Sequence, residues 1–254
     1  MLSKSDIKYI RSLSIKKYRQ RYKKFLVEGE KSVLEAIYFC GESLNKIFVS
    51  KDFFLKNSGT LKNYHHLIQE ITNEELALIS NLTNNTSALA ILNIPQQNDF
   101  SLLFESETIV YLDTIKDPGN LGTIIRSCDW FGIGALVCSP DCVDIYNPKV
   151  IQATMGSIFR VKFYEIDYFE LSKSLSGKSY NFYAADISGE NMYDCEFAKP
   201  MVLVAGNESK GISEDIAMHV NKKIAIPGKG NYIDSLNVGV ATSILLAQIF
   251  RPQK

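Results

Sequence analysis

A two-part α/β fold is predicted by three features of this chain. Continuous apolar runs such as Met201-Val202-Leu203-Val204-Ala205 have the composition of strands buried on both faces of a parallel sheet. Strand-like and helix-like segments alternate through the second half. A polar stretch that opens on proline, Pro95-Gln96-Gln97-Asn98-Asp99, reads as a linker between that half and a similar alternation before it. At 254 residues and 46% hydrophobic, the chain can bury one large core or two modest ones.

In the first half, strands are expected at Phe25–Glu28, Lys46–Ser50, Leu67–Ile71 and Ala88–Leu92. Glu30–Cys40 has amphipathic helical spacing, and Asn73–Asn81 is helical behind Thr72, with Glu75 three residues on as a capping box. In the second half, strands are expected at Thr108–Leu112, Ala135–Cys138, Arg160–Tyr164, Phe182–Ala185, Met201–Ala205 and Lys223–Ile226. Helices fit Leu121–Phe131, Pro148–Met155, Ser213–His219 and Leu236–Phe250.

Composition removes several classes of function. Charged residues make up 22%, as in ordinary globular proteins. No apolar run approaches the roughly 20 residues that span a bilayer, and no apolar signal-peptide core follows the basic N-terminus, so the cytoplasm is the expected compartment. Cys138 and Cys142 are spaced C-x3-C, but no second pair or nearby His completes a metal site. No metal is expected.

Charge is segregated although its sum is zero. Residues 1–31 carry ten Lys/Arg against three Asp/Glu, and the remainder carries 18 against 25. Lys16, Lys17, Arg19, Arg21, Lys23 and Lys24 are interleaved with Tyr18 and Tyr22. Such a stretch suits RNA, because cations attract phosphate and tyrosine stacks on unpaired bases. The alternative is a solvated helix whose tyrosines, four residues apart, pack on the core.

Three loops follow expected strands of the second half, where ligands bind parallel sheets. The first is Asp117-Pro118-Gly119-Asn120-Leu121-Gly122, with Arg126 beyond it; Asn120 stands where a side chain caps a helix. The second, Gly206-Asn207-Glu208-Ser209-Lys210-Gly211, has G-x-x-x-x-G spacing but lacks the Lys-Ser/Thr of a phosphate-binding loop. The third runs Ile226-Pro227-Gly228-Lys229-Gly230 to Asp234-Ser235-Leu236-Asn237-Val238, with Ser235 or Asp234 placed to cap the last helix. Each loop alone is compatible with an ordinary turn.

In this order the loops resemble the three motifs of the SpoU-type (TrmH-like) RNA ribose 2′-O-methyltransferases of the SPOUT superfamily. Asp117-Pro118-Gly119-Asn120-Leu121-Gly122 with Arg126 is similar to motif 1, Gly206-Asn207-Glu208 with Gly211-Ile212-Ser213 to motif 2, and Ile226-Pro227 with Ser235-Leu236-Asn237-Val238 to motif 3. Asn147-Pro148-Lys149 through Ser157 is similar to the family's N-P-K segment. The stretch between Pro227 and Ser235 is about one residue longer than the family's usual form. Phe25-Leu26-Val27-Glu28-Gly29 resembles the L30e-like substrate-binding domain that precedes the catalytic domain in this family.

The resemblance implies an L30e-like domain over 1–95, a linker over 96–106 and a SPOUT α/β domain with a trefoil knot over 107–254. It implies a homodimer built from the C-terminal domains. It also implies S-adenosylmethionine, held by Ala205, Gly206, Asn207, Gly211, Ile226, Pro227, Ser235 and Leu236. Arg126 matches the arginine proposed to activate the ribose hydroxyl, either electrostatically or, in a cation-rich pocket, by accepting its proton. Glu208 would orient Arg126, while Asn120, Ser235 and Asn237 would fix ribose, phosphate or loop geometry. The leading reading is methylation of a ribose 2′-hydroxyl, with ribosomal RNA (23S) favoured over transfer RNA by the extra N-terminal domain. The rivals are a nonenzymatic RNA-binding protein on the same scaffold and a small-molecule α/β enzyme with a phosphate site at Gly206–Gly211.

Overall fold

The computed structural model describes residues 1–95, 100–229 and 234–252. The expected linker at 96–99, Gly230 and the rest of the long motif 3 stretch to residue 233 lie outside the described residues. The described chain forms two compact units, one of residues 1–95 with Asp144–Arg160, the other of the remaining second half.

The first unit opens with α1 (Lys4–Ser12) and α2 (Lys16–Tyr22), followed by β1 (Lys24–Glu28), α3 (Glu30–Cys40), β2 (Leu44–Val49), α4 (Lys51–Lys56), α5 (Ser58–Leu61), β3 (Ile68–Glu70), α6 (Asn73–Ile79) and β4 (Ala88–Asn93). The capping box anticipated at α6 is present, with Thr72 Oγ1 accepting from Glu75 N. The strands form a sheet in the order β1-β4-β2-β3, antiparallel except for β2 with β3. Side chains alternate between its faces. Phe25, Val27, Ile47, Val49, Ala88 and Ala90 join one core cluster, whereas Leu26, Phe48, Leu89 and Ile91 join another with Ile10 and Leu13. Helices therefore cover both faces, which is why these strands read as continuous apolar runs rather than strict alternation. Glu28 ties the end of β1 to the end of α6, its carboxylate accepting from Ser80 Oγ at 2.5 Å and from Asn81 N at 2.8 Å.

The second unit begins with α7 (Ser101–Glu105), inside the stretch expected to be linker, then β5 (Thr108–Leu112), α8 (Pro118–Trp130) and β6 (Ala135–Cys138). The chain next enters the first unit as α9 (Pro148–Thr154), where Ile151 packs among Phe25, Val27 and Ile47. This is the segment expected within the C-terminal domain. Back in the second unit come β7 (Lys162–Glu165), α10 (Tyr168–Leu175), β8 (Asn181–Asn191), β9 (Met201–Ala205), α11 (Glu214–Ala217), β10 (Lys222–Ala225) and α12 (Val238–Ile249). The second sheet is ordered β10-β8-β9-β5-β6-β7, and each of its strand pairs is parallel. From β5 the chain builds outward to β6 and β7, then returns to its other side with β8 and β9. The paired ends of β5 and β9 are thus the switch point of an open parallel sheet, where a crevice opens. None of the described helices is long and apolar enough to cross a membrane.

Candidate active site

At the switch point, Leu112 of β5 pairs with Ala205 of β9 and the ladder continues one bond further, Asp113 N donating to Ala205 O at 2.8 Å. Sequence reasoning did not single out Asp113. It is 6% exposed, and its carboxylate accepts from Ser213 N at 2.8 Å and from Thr114 Oγ1 at 2.9 Å. Buried charge needs such donors. Asp113 thereby clamps the end of the motif 2 loop to the start of the motif 1 loop. Thr114 takes a positive φ of 59°, and its carbonyl accepts from Asn207 Nδ2 at 3.0 Å. Ile115 N donates to Cys142 Sγ, and hydrogen bonds from Cys138, Ser139 and the main chain draw that thiol down to about 7 against its burial.

The motif 2 loop is a closed turn. Asn207 and Gly211 exchange main-chain hydrogen bonds at 2.9 Å, and Asn207 Oδ1 accepts from Ser209 N and Lys210 N. Gly211 has φ +69°, which glycine takes without strain. Gly206 is required for a reason internal to the loop. A Cβ there would lie 2.3 Å from the Gly211 carbonyl carbon, so the loop's own main chain, folded over Gly206, excludes a side chain. Gly206→Ala should therefore open the turn and cost several kcal/mol, as overpacking does, whereas Gly211→Ala, with open space around it, should cost about 1 kcal/mol of left-handed strain. Thermal melting and calorimetric titration with S-adenosylmethionine of the two variants check this order.

The motif 1 helix α8 is capped by Asp117, whose carboxylate accepts from Asn120 N at 2.8 Å, with Pro118 in the first turn where no donor is needed. Asn120 is therefore not the cap, which corrects the expectation. It sits three residues inside, with its side-chain amide available for other work. Asn120 Nδ2 donates to Glu208 Oε1 at 2.7 Å, and Asn120 Oδ1 accepts from Asn237 Nδ2 at 2.7 Å. Asn237 Oδ1 accepts from Gly239 N and Val240 N, so Asn237, not Ser235 or Asp234, is the N-cap of α12.

These contacts form one relay from the amides of α12 through Asn237 and Asn120 to Glu208. Its polarity is set at both ends. The α12 amides only donate, which turns Asn237 Oδ1 toward them; an ionised Glu208 only accepts, which turns Asn120 Nδ2 toward it. One residue from each of the three motifs is thereby locked to the next. Below the relay α12 lies close on α8: a Cβ on Gly239 would stand 3.2 Å from Thr123, and Ser127 Oγ and Ser243 Oγ are 2.6 Å apart.

Arg126 is the exception. It is exposed, and among the described residues no hydrogen bond or ion pair engages it. Glu208, expected to orient Arg126, is bonded to Asn120 instead. Ser235 is exposed, as is Pro227; Leu236 is 47% exposed, and Ile226, just beyond β10, is half-buried. Of the basic stretch, Lys16, Lys17, Arg21 and Lys23 are exposed. Arg19 is not part of that surface: it is 2% exposed, with Nη2 2.5 Å from Asp144 Oδ2 and Nη1 donating to Leu13 O at 2.9 Å. Lys24 is half-buried and donates to Asn45 Oδ1 at 2.8 Å.

A parallel sheet whose switch-point loops are tied into fixed turns belongs to the class of α/β proteins that bind a ligand beyond the carboxyl ends of their strands. Comparison with known proteins gives the particular family. The SpoU rRNA Methylase family matches residues 107–247, and the MRM3-like substrate binding domain matches residues 4–90. The 23S rRNA (guanosine(2553)-2′-O)-methyltransferase RlmP of Bacillus subtilis (strain 168) is 24% identical over 241 residues, covering 94% of each chain. The 23S rRNA (guanosine-2′-O-)-methyltransferase RlmB of Blochmanniella floridana is 32% identical over 199 residues, 74% of this chain and 77% of that protein. The AdoMet-bound rRNA methyltransferase from Sinorhizobium meliloti superposes with a TM-score of 0.84 at 26% identity, covering 99% of this chain and 97% of that one. The chain belongs to the SpoU rRNA methylase family, and it is an RNA 2′-O-methyltransferase that uses S-adenosylmethionine. The residues present fit that cofactor: Leu236 and Pro227 are exposed and Ile226 half-buried, which leaves apolar surface for an adenosyl group, and the Gly206–Gly211 turn offers main chain fixed by its own hydrogen bonds.

Proposed function

We propose that the enzyme methylates a ribose 2′-hydroxyl of 23S ribosomal RNA, and that Arg126 activates that hydroxyl. The observation that carries the reading is the relay Glu208–Asn120–Asn237, which ties the three motif loops to one another and leaves Arg126 of the same α8 helix uncommitted. Bound S-adenosylmethionine supplies an electrophilic methyl group. Ala205, Gly206, Asn207, Gly211, Ile226, Pro227, Ser235 and Leu236 hold it. Arg126 acts as a cation, and among the described residues no carboxylate is fastened to it. Its charge binds the phosphate next to the target ribose and stabilises the negative charge that develops on the 2′-oxygen as the hydroxyl proton passes to water, which makes a weak nucleophile competent. Asn120 and Asn237 hold the loops at near-attack geometry, where misplacement is costly. The relatives named for 23S ribosomal RNA support the choice of substrate. Dimerisation through the C-terminal unit, threading of that unit as a trefoil knot and a cytoplasmic location belong to the same reading.

In this reading Lys16, Lys17, Arg21, Lys23 and Lys24 bind RNA phosphate. Changing the four exposed cations Lys16, Lys17, Arg21 and Lys23 to Gln should flatten the plot of log affinity against log salt by roughly 3, at about 0.7 per phosphate contact, and leave cofactor affinity alone. Filter binding of a ribosomal RNA fragment between low and high salt measures it. The substrate itself is tested by mapping 2′-O-methylation in cells lacking the gene. Loss of one mark in 23S ribosomal RNA is expected, and loss confined to transfer RNA would replace the assignment.

A further inference from the structure

In the first unit a cleft of about 400 Å³ lies between α1 and the strands β1, β2 and β3. That volume is in the range of small-molecule sites. Its floor is apolar, made by Ile10, Phe48 and Ile91, all buried. Its walls are polar. Lys46 resumes the β2–β4 ladder after a register shift, Leu44 pairing with Leu92 and Lys46 with Ile91, so Asn45 is the extra residue of a bulge. Bulges re-aim side chains and gather near functional sites. Asn45 Oδ1 already accepts from Lys24 Nζ, which leaves its amide hydrogens to donate. Across the cleft, Gln69 has one donor and one acceptor end, and among the described residues no hydrogen bond engages either. Tyr9 forms an aromatic wall and continues outward: its ring meets Tyr22 edge-on at 5.1 Å, and Tyr22 stacks with Tyr18 at 6.3 Å. The Arg21 guanidinium lies 5.6 Å over Tyr22.

We propose that this cleft holds one unpaired nucleobase of the RNA substrate, stacked against Tyr9 and hydrogen-bonded by Asn45 and Gln69. The proposal rests on the reading that the first unit binds RNA and deepens it. An apolar floor accepts a base face, and two amides at the rim match a base edge, which combines donors and acceptors. Lys24 supplies a cation for the adjoining phosphate, while the charge of Lys46 is partly offset by Asp6, which also lines the cleft. The Tyr22–Tyr18 stack beside the exposed cations of α2 gives the strand a path onward, as aromatic and basic side chains do in single-strand binders. A duplex cannot present a base in this way.

The test uses the full chain and a single-stranded hexaribonucleotide with central 2-aminopurine, against the same sequence in a duplex and against free AMP. Binding of the single strand should quench 2-aminopurine and exceed duplex binding. Tyr9→Leu and Gln69→Ala should each weaken the single strand roughly tenfold, within the range of one lost base stack, with the salt slope and duplex affinity unchanged. Tyr9→Phe should retain binding, and an unchanged melting temperature shows that the variants fold. Equal weakening of single strand and duplex, or undiminished quenching in Tyr9→Leu, would overturn the pocket while leaving RNA binding by α2 intact. Quenching by AMP as strong as by the hexamer would overturn it in favour of a mononucleotide site. If the α2 glutamine variants also bind every RNA normally, the RNA-binding role of the whole unit falls with it.

Discussion

Arg126→Ala should lower methyl transfer by about 100- to 1,000-fold, the cost of removing one preorganised electrostatic group from a transition state. Cofactor affinity should barely change. Arg126 lies on α8, six residues beyond Asn120, and the relay that orders the loops does not pass through it. Its exposure and lack of partners among the described residues also mean that stability should stay within about 0.5 kcal/mol of the parent. A tritium transfer assay and calorimetry with S-adenosylmethionine on the same preparation separate the two effects. Arg126→Lys should recover little, because a point charge does not reproduce the planar fork that grips phosphate. Near-normal transfer in the alanine variant, or a folded variant that no longer binds cofactor, would remove Arg126 from the role assigned to it.

The largest effect on stability is expected at Arg19→Ala. The guanidinium is buried and makes three contacts, two to Asp144 Oδ2 through Nε and Nη2 and one to the Leu13 carbonyl. Removing it strands Asp144, which is 15% exposed, and opens a large void between the start of the chain and the 144–160 segment of the same unit. Breaking a buried pair by deleting one partner costs about 3–5 kcal/mol. Arg19→Met with Asp144→Leu should recover much of that loss, because the unpaired charge is then gone as well. Urea unfolding of the single and double variants measures the difference. A loss below about 1 kcal/mol, the range of exposed pairs, would show that Arg19 is held no more firmly than a surface cation.

Arg19 also marks how far the chain could be read without its fold. From the sequence it is one of six cations in a basic run, and its partner lies 125 residues away. Nothing local distinguishes it from Lys17 or Arg21. By contrast Thr108–Leu112, Ala135–Cys138 and Met201–Ala205 were legible residue for residue, because each is an apolar run broken on both sides by polar or turn residues. Strand β8 was read as far as Ala185 but continues to Asn191. Its second half, with Asp186, Ser188 and Glu190, is polar, and in that half it pairs with β10 through Glu190 and Asn191. Helices α1, α4, α5, α7 and α10 were not read from the sequence, and in α1 and α10 the signals are plain. Helix α1 has a Ser3–Asp6 capping box, and α10 has Asp167 as cap with Tyr168, Leu171 and Leu175 on one buried face.

The candidate site divides in the same way. Motif order singled out Asn120, Arg126, Glu208 and Asn237; the fold joins Asn120, Glu208 and Asn237, and what each one touches was not legible. Asn120 and Glu208 are 88 residues apart, and Asn237 and Asn120 are 117 apart, so only the sheet order that sets β5 beside β9 brings them together. Asp113 was invisible because an aspartate after a strand is an ordinary turn residue until its buried hydrogen bonds are seen. The need for glycine at Gly206 was equally hidden, because the neighbour that excludes a side chain is the Gly211–Ile212 main chain of the folded turn.

Methyl transfer to a ribose oxygen that depends on Arg126 can be measured directly. Purified enzyme should be incubated with S-adenosylmethionine carrying a labelled methyl group and with unmodified 23S ribosomal RNA, and the RNA digested to nucleosides for mass spectrometry. The account predicts label in a single 2′-O-methylnucleoside, with the methyl retained on the ribose fragment and absent when Arg126 is alanine. Label on a base fragment, or label that persists undiminished in Arg126→Ala, would contradict it.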